Sequence, residues 1–266
     1  MSRIWHLRIR KTHRYLGLFI GIQFLLWTVG GLYFSWSNLD SIHGDHLKRP
    51  AGAMPMSLSL VSPSIPLQAL RQRPGVDSLI SIQLIDILGK PTYQLAYSMQ
   101  HGSHSMTHTQ LADAQTGALR QPLSKSEAMT IAQQRFSGPS AIEHVQYLTN
   151  TNGHHEYRKK PLPAYAITFR QPAHATIYVA AQLGTVQSVR TDPWRVFDFL
   201  WMLHTMDYEG RDDMNNSLLR VFSILGLLTI TSGFALYFVS SPSFRSRRKA
   251  KQFASAIAVG KRVRNQ

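Results

Sequence analysis

The stretch Tyr15-Leu-Gly-Leu-Phe-Ile-Gly-Ile-Gln-Phe-Leu-Leu-Trp-Thr-Val-Gly-Gly-Leu-Tyr-Phe-Ser-Trp36 carries no charge. Gln23, Thr28 and Ser35 are its polar interruptions. At ~1.5 Å per residue, a helix of this length crosses the ~30 Å hydrocarbon layer of a bilayer. Arg8, Arg10, Lys11 and Arg14 crowd its start. Tyr33 and Trp36 close its far end, where amphipathic rings favour the lipid–water boundary. A cleaved leader fits less well, because the apolar run exceeds the usual ~7–15 residues and no small-x-small cleavage site follows. The stretch reads as a retained membrane anchor.

A second uncharged run, Val221 to Val239, stops at Ser240-Ser241-Pro242. The 266-residue chain as a whole is too polar for a polytopic membrane protein: 44% of its residues are hydrophobic and its mean hydropathy is −0.15. Cysteine is absent, which excludes disulfides, thiolate metal sites, iron–sulfur clusters, c-type haem attachment and a cysteine nucleophile. The net charge is +15, and its placement is informative. Residues 1–14 carry five Lys/Arg and residues 241–266 carry eight, with no acid in either tail. All 14 acids lie between Asp40 and Asp213. Basic residues packed outside both spans follow the positive-inside pattern and attract anionic lipid headgroups. A folded basic surface with base-stacking aromatics, the mark of a nucleic-acid partner, is not expected.

Both termini are therefore expected in the cytoplasm, with the middle of the chain on the far side of the membrane. The organisation reads as a basic tail (1–14), a transmembrane helix (15–36), a linker (37–56), two similar units (57–121 and 122–191), an interfacial helix and loop (192–218), a second transmembrane helix (219–240) and a basic tail (241–266). The two units show as an internal repeat. Leu111-Ala-Asp-Ala-Gln-Thr-Gly-Ala-Leu119 aligns with Tyr178-Val-Ala-Ala-Gln-Leu-Gly-Thr-Val186, each as strand, tight turn and strand. Ser124-Lys-Ser-Glu127 makes a capping box for an amphipathic helix over 126–136. Strands are expected at 142–148, 164–170 and 176–190, and in the first unit at 79–87, 92–97 and 107–119, after a short helix near 67–71. Each unit is a helix plus an antiparallel sheet, and each is small enough to need a shared or abutting apolar face. Asp192-Pro193 reads as an N-cap and first helical residue of an apolar helix, Trp194–Met206. Gly17-x-x-x-Gly21 permits close helix approach and is weak evidence for a homodimer.

These residues resemble a known family. Arg10-Lys-Thr-His-Arg-Tyr-Leu-Gly17, Ile42-His-Gly-Asp-His46 and Asp198-Phe-Leu-Trp-Met-Leu-His-Thr-Met-Asp-Tyr208 are similar to the PepSY-associated transmembrane proteins, and Asp113-Ala-Gln-Thr-Gly117 resembles the strand-turn signature of a PepSY domain. The second copy has Ala180 where that signature has Asp. The resemblance implies an α+β fold: two transmembrane helices flanking a periplasmic region of two PepSY-like units, in a bacterial inner membrane. In relatives with more spans it implies haem-binding membrane helices and reduction of ferric iron or ferric siderophores. Elsewhere PepSY units occur in peptidase propeptides, so a peptide-binding or inhibitory role is also implied.

Twelve histidines and no cysteine leave histidine as the strong haem or soft-metal ligand. His13 lies at the inner edge of the first span; His43 and His46 follow its outer end; His204 lies on the interfacial helix. A helix from His13 to His43 would measure ~45 Å, so one haem cannot bridge them. An outer haem b could take His204 with His43 or His46. An inner one needs His13 from two chains, because the second span has no His or Met. Trp27, Trp36, Phe199 and Trp201 are candidate walls. No metal site is expected: His101, His104 and His108 read as a polar turn, His154-His155-Glu156 with Arg158-Lys159-Lys160 as a surface loop, and Asp207, Glu209, Asp212 and Asp213 as helix punctuation or partners of Arg195 or Arg211. No catalytic residue is identified, and Walker, dinucleotide and GxSxG motifs are missing. Two readings stay open. One is a haem-b electron conduit fed by quinol or a redox partner protein. The other is a non-enzymatic anchored module for a periplasmic peptidase or envelope partner.

Overall fold

The computed structural model describes residues 3–102, 104–139 and 141–240, so the basic tail at 241–266 lies outside the described residues. The chain is α+β and divides into two compact units. One is Phe34–Leu200; the other is built from the chain before and after it.

The helical unit rests on two helices long and apolar enough to cross a membrane. Helix α1 is Arg3–Trp36, with its apolar part at Leu7–Trp36. The basic flank is thus helical and continuous with the span. The second long helix, α6 in chain order, is Ser217–Ser240, apolar over Ser217–Phe238. Asn216 starts it: its carbonyl accepts from Arg220 N at 3.3 Å and its Oδ1 from Leu219 N at 2.8 Å, the usual N-cap economy of orphan donors. The two helices pack antiparallel, with His13 beside Gly233, Phe24 and Ile20 beside Gly226, and Phe19 on Phe222. Small residues on α6 make room for large ones on α1: a methyl at Gly226 would sit 2.9 Å from Phe24 Cζ.

The sheet unit begins with α2 (Leu39–His43) and a 3₁₀ turn (Asp45–Leu47), inside the stretch read as linker. Leu47 is buried in the main core, and Arg49 N donates to Arg135 O at 2.8 Å, so this stretch is sewn to the fold. Then come α3 (Ser64–Arg71) and a four-stranded antiparallel meander: β1 (Val76–Ile87), β2 (Lys90–His101), β3 (His104–Asp113) and β4 (Leu119–Arg120). A second helix and meander repeat the order: α4 (Lys125–Arg135), β5 (Ile142–Leu148), β6 (Ala164–Phe169), β7 (Thr176–Ala180) and β8 (Thr185–Arg190). The Ser124–Glu127 capping box is present at the start of α4.

The repeat is visible in its turns. Gly117 N donates to Asp113 O and Gly184 N to Ala180 O, and both glycines have positive φ, +78° and +72°. A Cβ at either would clash, with Ile65 at 2.6 Å or with Ile87 at 2.5 Å. Asp113 stiffens its turn by accepting from Gln115 N and Thr116 N. The Thr116 donor leads in holding that carboxyl below its ordinary range. Ala180 is buried, where an unpaired carboxylate would be costly. One core joins the halves: Ile87 and Leu111 of the first sheet cluster with Ala128, Ile131 and Ala132 of α4 and with Ile167, Ile177 and Val179 of the second sheet.

The last helix of the repeat region, α5, is Asp192–Thr205. Its N-cap is Thr191 rather than Asp192: Thr191 O accepts from Arg195 N at 3.0 Å, and Trp194 N donates to Thr191 Oγ1 at 3.4 Å. The loop 149–163 keeps His154, Lys159 and Lys160 exposed, as a surface loop would, but turns Glu156, Tyr157 and Arg158 inward. Tyr157 is fully buried, stacked 4.5 Å from Tyr178, and burial pushes its phenol up to about 12. Arg158 pairs with Asp198 at 2.8 Å, with side chains 8% and 5% exposed. Glu156 takes Arg195 at 2.7 Å and the Tyr178 hydroxyl at 2.7 Å, while Arg190 lies 3.9 Å over the Trp194 ring. Removing one partner of a buried pair strands the other charge, whereas removing both does not. Arg158→Met is expected to cost about 3–5 kcal/mol. Arg158→Met with Asp198→Leu should recover most of that loss, read by denaturant unfolding of the detergent-purified chain.

Candidate functional site

The helical unit concentrates the polar chemistry that an apolar setting makes expensive. The carbonyls ending α5 have no partner within the helix. They are met by side chains from elsewhere in the unit. Gln23 Nε2 donates to Leu203 O at 2.9 Å and Trp27 Nε1 to His204 O at 2.9 Å, one turn apart on α1. Asn216 Nδ2 donates to Thr205 O at 2.9 Å. Gln23, a polar interruption in the span, is therefore buried and occupied.

His204 is half-buried, its ring centroid 6.1 Å from those of both Trp27 and Trp201. Of the four aromatics read as candidate walls, Trp27 and Trp201 are thus neighbours of His204. Trp36 is 81% and Phe199 52% exposed, so neither encloses a site within the chain. His13 is half-buried on α1, with Nδ1 2.7 Å from Ser232 Oγ on α6. Ser232 Oγ also lies 2.8 Å from Thr229 O. His13 and Trp27 share one helix and are separated by ~21 Å along its axis, so His13 and His204 occupy two levels of the unit. His43 ends α2 and His46 lies in the 3₁₀ turn; both are exposed and belong to the sheet unit.

No group of three or more His, Asp or Glu that would hold a metal occurs among the described residues. His101 and His104 pair in register at the β2–β3 tip, and His108 stacks on Tyr97. His155 Nδ1 accepts from Tyr157 N at 3.0 Å, a local turn contact. Arg195 pairs with Glu156 and Asp192.

Asp207 punctuates the chain between α5 and α6. Its Oδ1 accepts from Glu209 N and Gly210 N, at 3.3 and 2.9 Å; its Oδ2 accepts from Asp212 N and Asp213 N, at 3.0 and 2.9 Å. Ser232 and Glu156 carry partnerships that spacing does not reveal. The available signal was cost: a hydroxyl in an apolar span, or a carboxylate beside a Tyr in a strand-rich segment, needs a partner. No protein-family model, curated protein or solved structure matches the chain.

Burial pushes the Asp207 carboxyl up, but the four backbone donors outweigh it and hold it below the ordinary range. A depressed carboxylate contributes stability above its unfolded pKa and loses it as pH falls through the folded one. The 207–213 loop is therefore expected to stay closed at neutral pH and to open below about pH 4. Amide hydrogen exchange at Gly210, Asp212 and Asp213 should accelerate there, and Asp207→Asn should remove the dependence.

Proposed function

We propose that the chain is a membrane-anchored PepSY-type protein that holds haem b through histidines of its helical unit. It would pass electrons outward to ferric iron or a ferric siderophore. Both termini are then cytoplasmic, and the sheet unit is periplasmic in a bacterial inner membrane. The helix-plus-meander repeat, the Asp113–Gly117 turn and the Trp201–Tyr208 block support the family reading.

The observation that carries the haem reading is His13. An axial imidazole needs a free ring nitrogen, with its other N–H hydrogen-bonded. With Nδ1–H donating, the Ser232 contact would supply that bond and leave Nε2 as the ligand atom. Bound haem b would supply a reversible one-electron iron couple. Since α6 has no His or Met, the second imidazole at this level comes from His13 of a second copy. Gly17 and Gly21 of α1 have no described neighbour within 4 Å of a built Cβ, leaving a face on which a second α1 can pack. His204 between its two indoles serves the outer level. Electrons enter from quinol or a redox partner protein.

The test is a dithionite-reduced minus oxidised spectrum of the full-length protein in detergent. The expected result is a b-type α-band near one haem per ligand pair. Haem affinity should fall at least about tenfold in His13→Ala and His204→Ala variants that still insert. A flat spectrum from folded protein expressed with ample haem overturns the reading.

A second reading has one observation in its favour. On β1, an edge strand, Leu79, Ile82 and Leu84 stand opposite Tyr97, Leu95 and Tyr93 but are 46%, 36% and 37% exposed, because α3 covers β2 and β3 rather than the edge. Such an edge suits an extended segment of a peptidase or envelope partner added as a further strand. A photo-crosslinker at Leu84 in the membrane-inserted protein would then give one defined adduct, lost in Ile82→Asp.

A further inference from the structure

We infer that Ser232 is the positioning residue for His13, fixing its tautomer so that Nε2 is the atom offered to iron; this rests on the haem reading above. Ser232 has one hydroxyl proton and two neighbours, Thr229 O at 2.8 Å and His13 Nδ1 at 2.7 Å. Two oxygens approach to 2.8 Å only with a hydrogen between them, and a carbonyl has none to give, so we place the hydroxyl proton toward Thr229 O. The serine oxygen then accepts, and His13 Nδ1 must carry the hydrogen. Nε2 is left with its lone pair.

The next residue completes the arrangement. A methyl at Gly233 would meet His13 Cε1 at 3.3 Å and Nε2 at 3.8 Å, so the Nε2 side of the ring passes over a position without a side chain. Ser232 holds one edge of the imidazole, and Gly233, which has no side chain, lets the ring lie against α6. Both devices lie on α6, while the ligand lies on α1. A hydrogen bond at Nδ1 also makes an imidazole a stronger electron donor, which favours the ferric over the ferrous state and lowers the potential.

The experiment uses the full-length chain in detergent with ¹⁵N-labelled histidine, the His13 signal being assigned by its loss in His13→Ala. Without haem, wild type should show one His13 tautomer, protonated at Nδ1. Ser232→Ala should show a mixture with Nε2–H, and Ser232→Thr, which keeps the hydroxyl, should restore the single form. With haem, Ser232→Ala should weaken affinity about 10–100-fold and raise the midpoint potential, and Ser232→Thr should reverse both. A wild-type His13 protonated at Nε2, or a Ser232→Ala spectrum identical to wild type, overturns the inference. A locked tautomer in a chain that takes up no haem overturns the proposed function. Haem bound through His13, with affinity and potential untouched in Ser232→Ala, overturns the role of Ser232 alone.

Discussion

A helix that ends in apolar surroundings must find donors for its last carbonyls, and the helical unit is arranged around that demand. Three consecutive carbonyls at the end of α5, those of Leu203, His204 and Thr205, are met by Gln23, Trp27 and Asn216. Each bond replaces a carbonyl that would otherwise lie dry at a cost of about 1–3 kcal/mol. Two of the donors stand one turn apart on α1, so the bonds orient the end of α5 as well as satisfy it. The same indole that caps His204 O flanks the His204 ring, so backbone satisfaction and side-chain placement have one cause. Asn216 couples the end of α5 to the start of α6, since it also caps that helix.

The sheet unit solves a different problem. One helix on a four-stranded meander buries only a small apolar cluster of its own, such as that around Leu70, Tyr93 and Leu95. Two copies share a core, with α4 contributing to the cluster that takes in Ile87 and Leu111 of the first sheet and the inner face of the second. The copies have diverged where their surroundings differ. The half-buried turn at Asp113 carries a carboxylate, whereas the buried position at Ala180 does not. Both turns retain glycine, because backbone conformation and a close isoleucine neighbour forbid a side chain in each.

Features with a local cause were legible in the sequence. The spans showed as uncharged runs, α4 as a capping box, and the repeat as one strand-turn-strand pattern written twice. Features caused by distant partners were not. Glu156 and Arg158 sit in a polar stretch, and their burial depends on Arg195 and Asp198, far along the chain. The start of α5 shifted by one residue because Thr191 offers a hydroxyl and a buried setting, where Asp192 is drawn away to Arg195 and His174. Of the candidate histidines, His13 and His204 acquire defined neighbours, while His43 and His46 stay on the surface. Spacing shows which residues lie at one depth; only the helix pairing reveals that Ser232 faces His13.

The internal pairing of loop 149–163 changes the face this protein shows to charged surroundings. Arg158-Lys159-Lys160 writes three positive charges in a row, the pattern of a headgroup-binding tab. Arg158 is turned inward onto Asp198, and Glu156 and Arg195 neutralise each other behind it. Three guanidinium groups, of Arg158, Arg190 and Arg195, are gathered with the carboxylates of Glu156, Asp192 and Asp198 into an assembly without net charge. The outward-facing part of the run is two exposed lysines carried on a stiff, tyrosine-anchored loop. What the run presents to anionic headgroups is two lysines rather than three cations in a row, and their field is screened within about 8 Å at physiological salt.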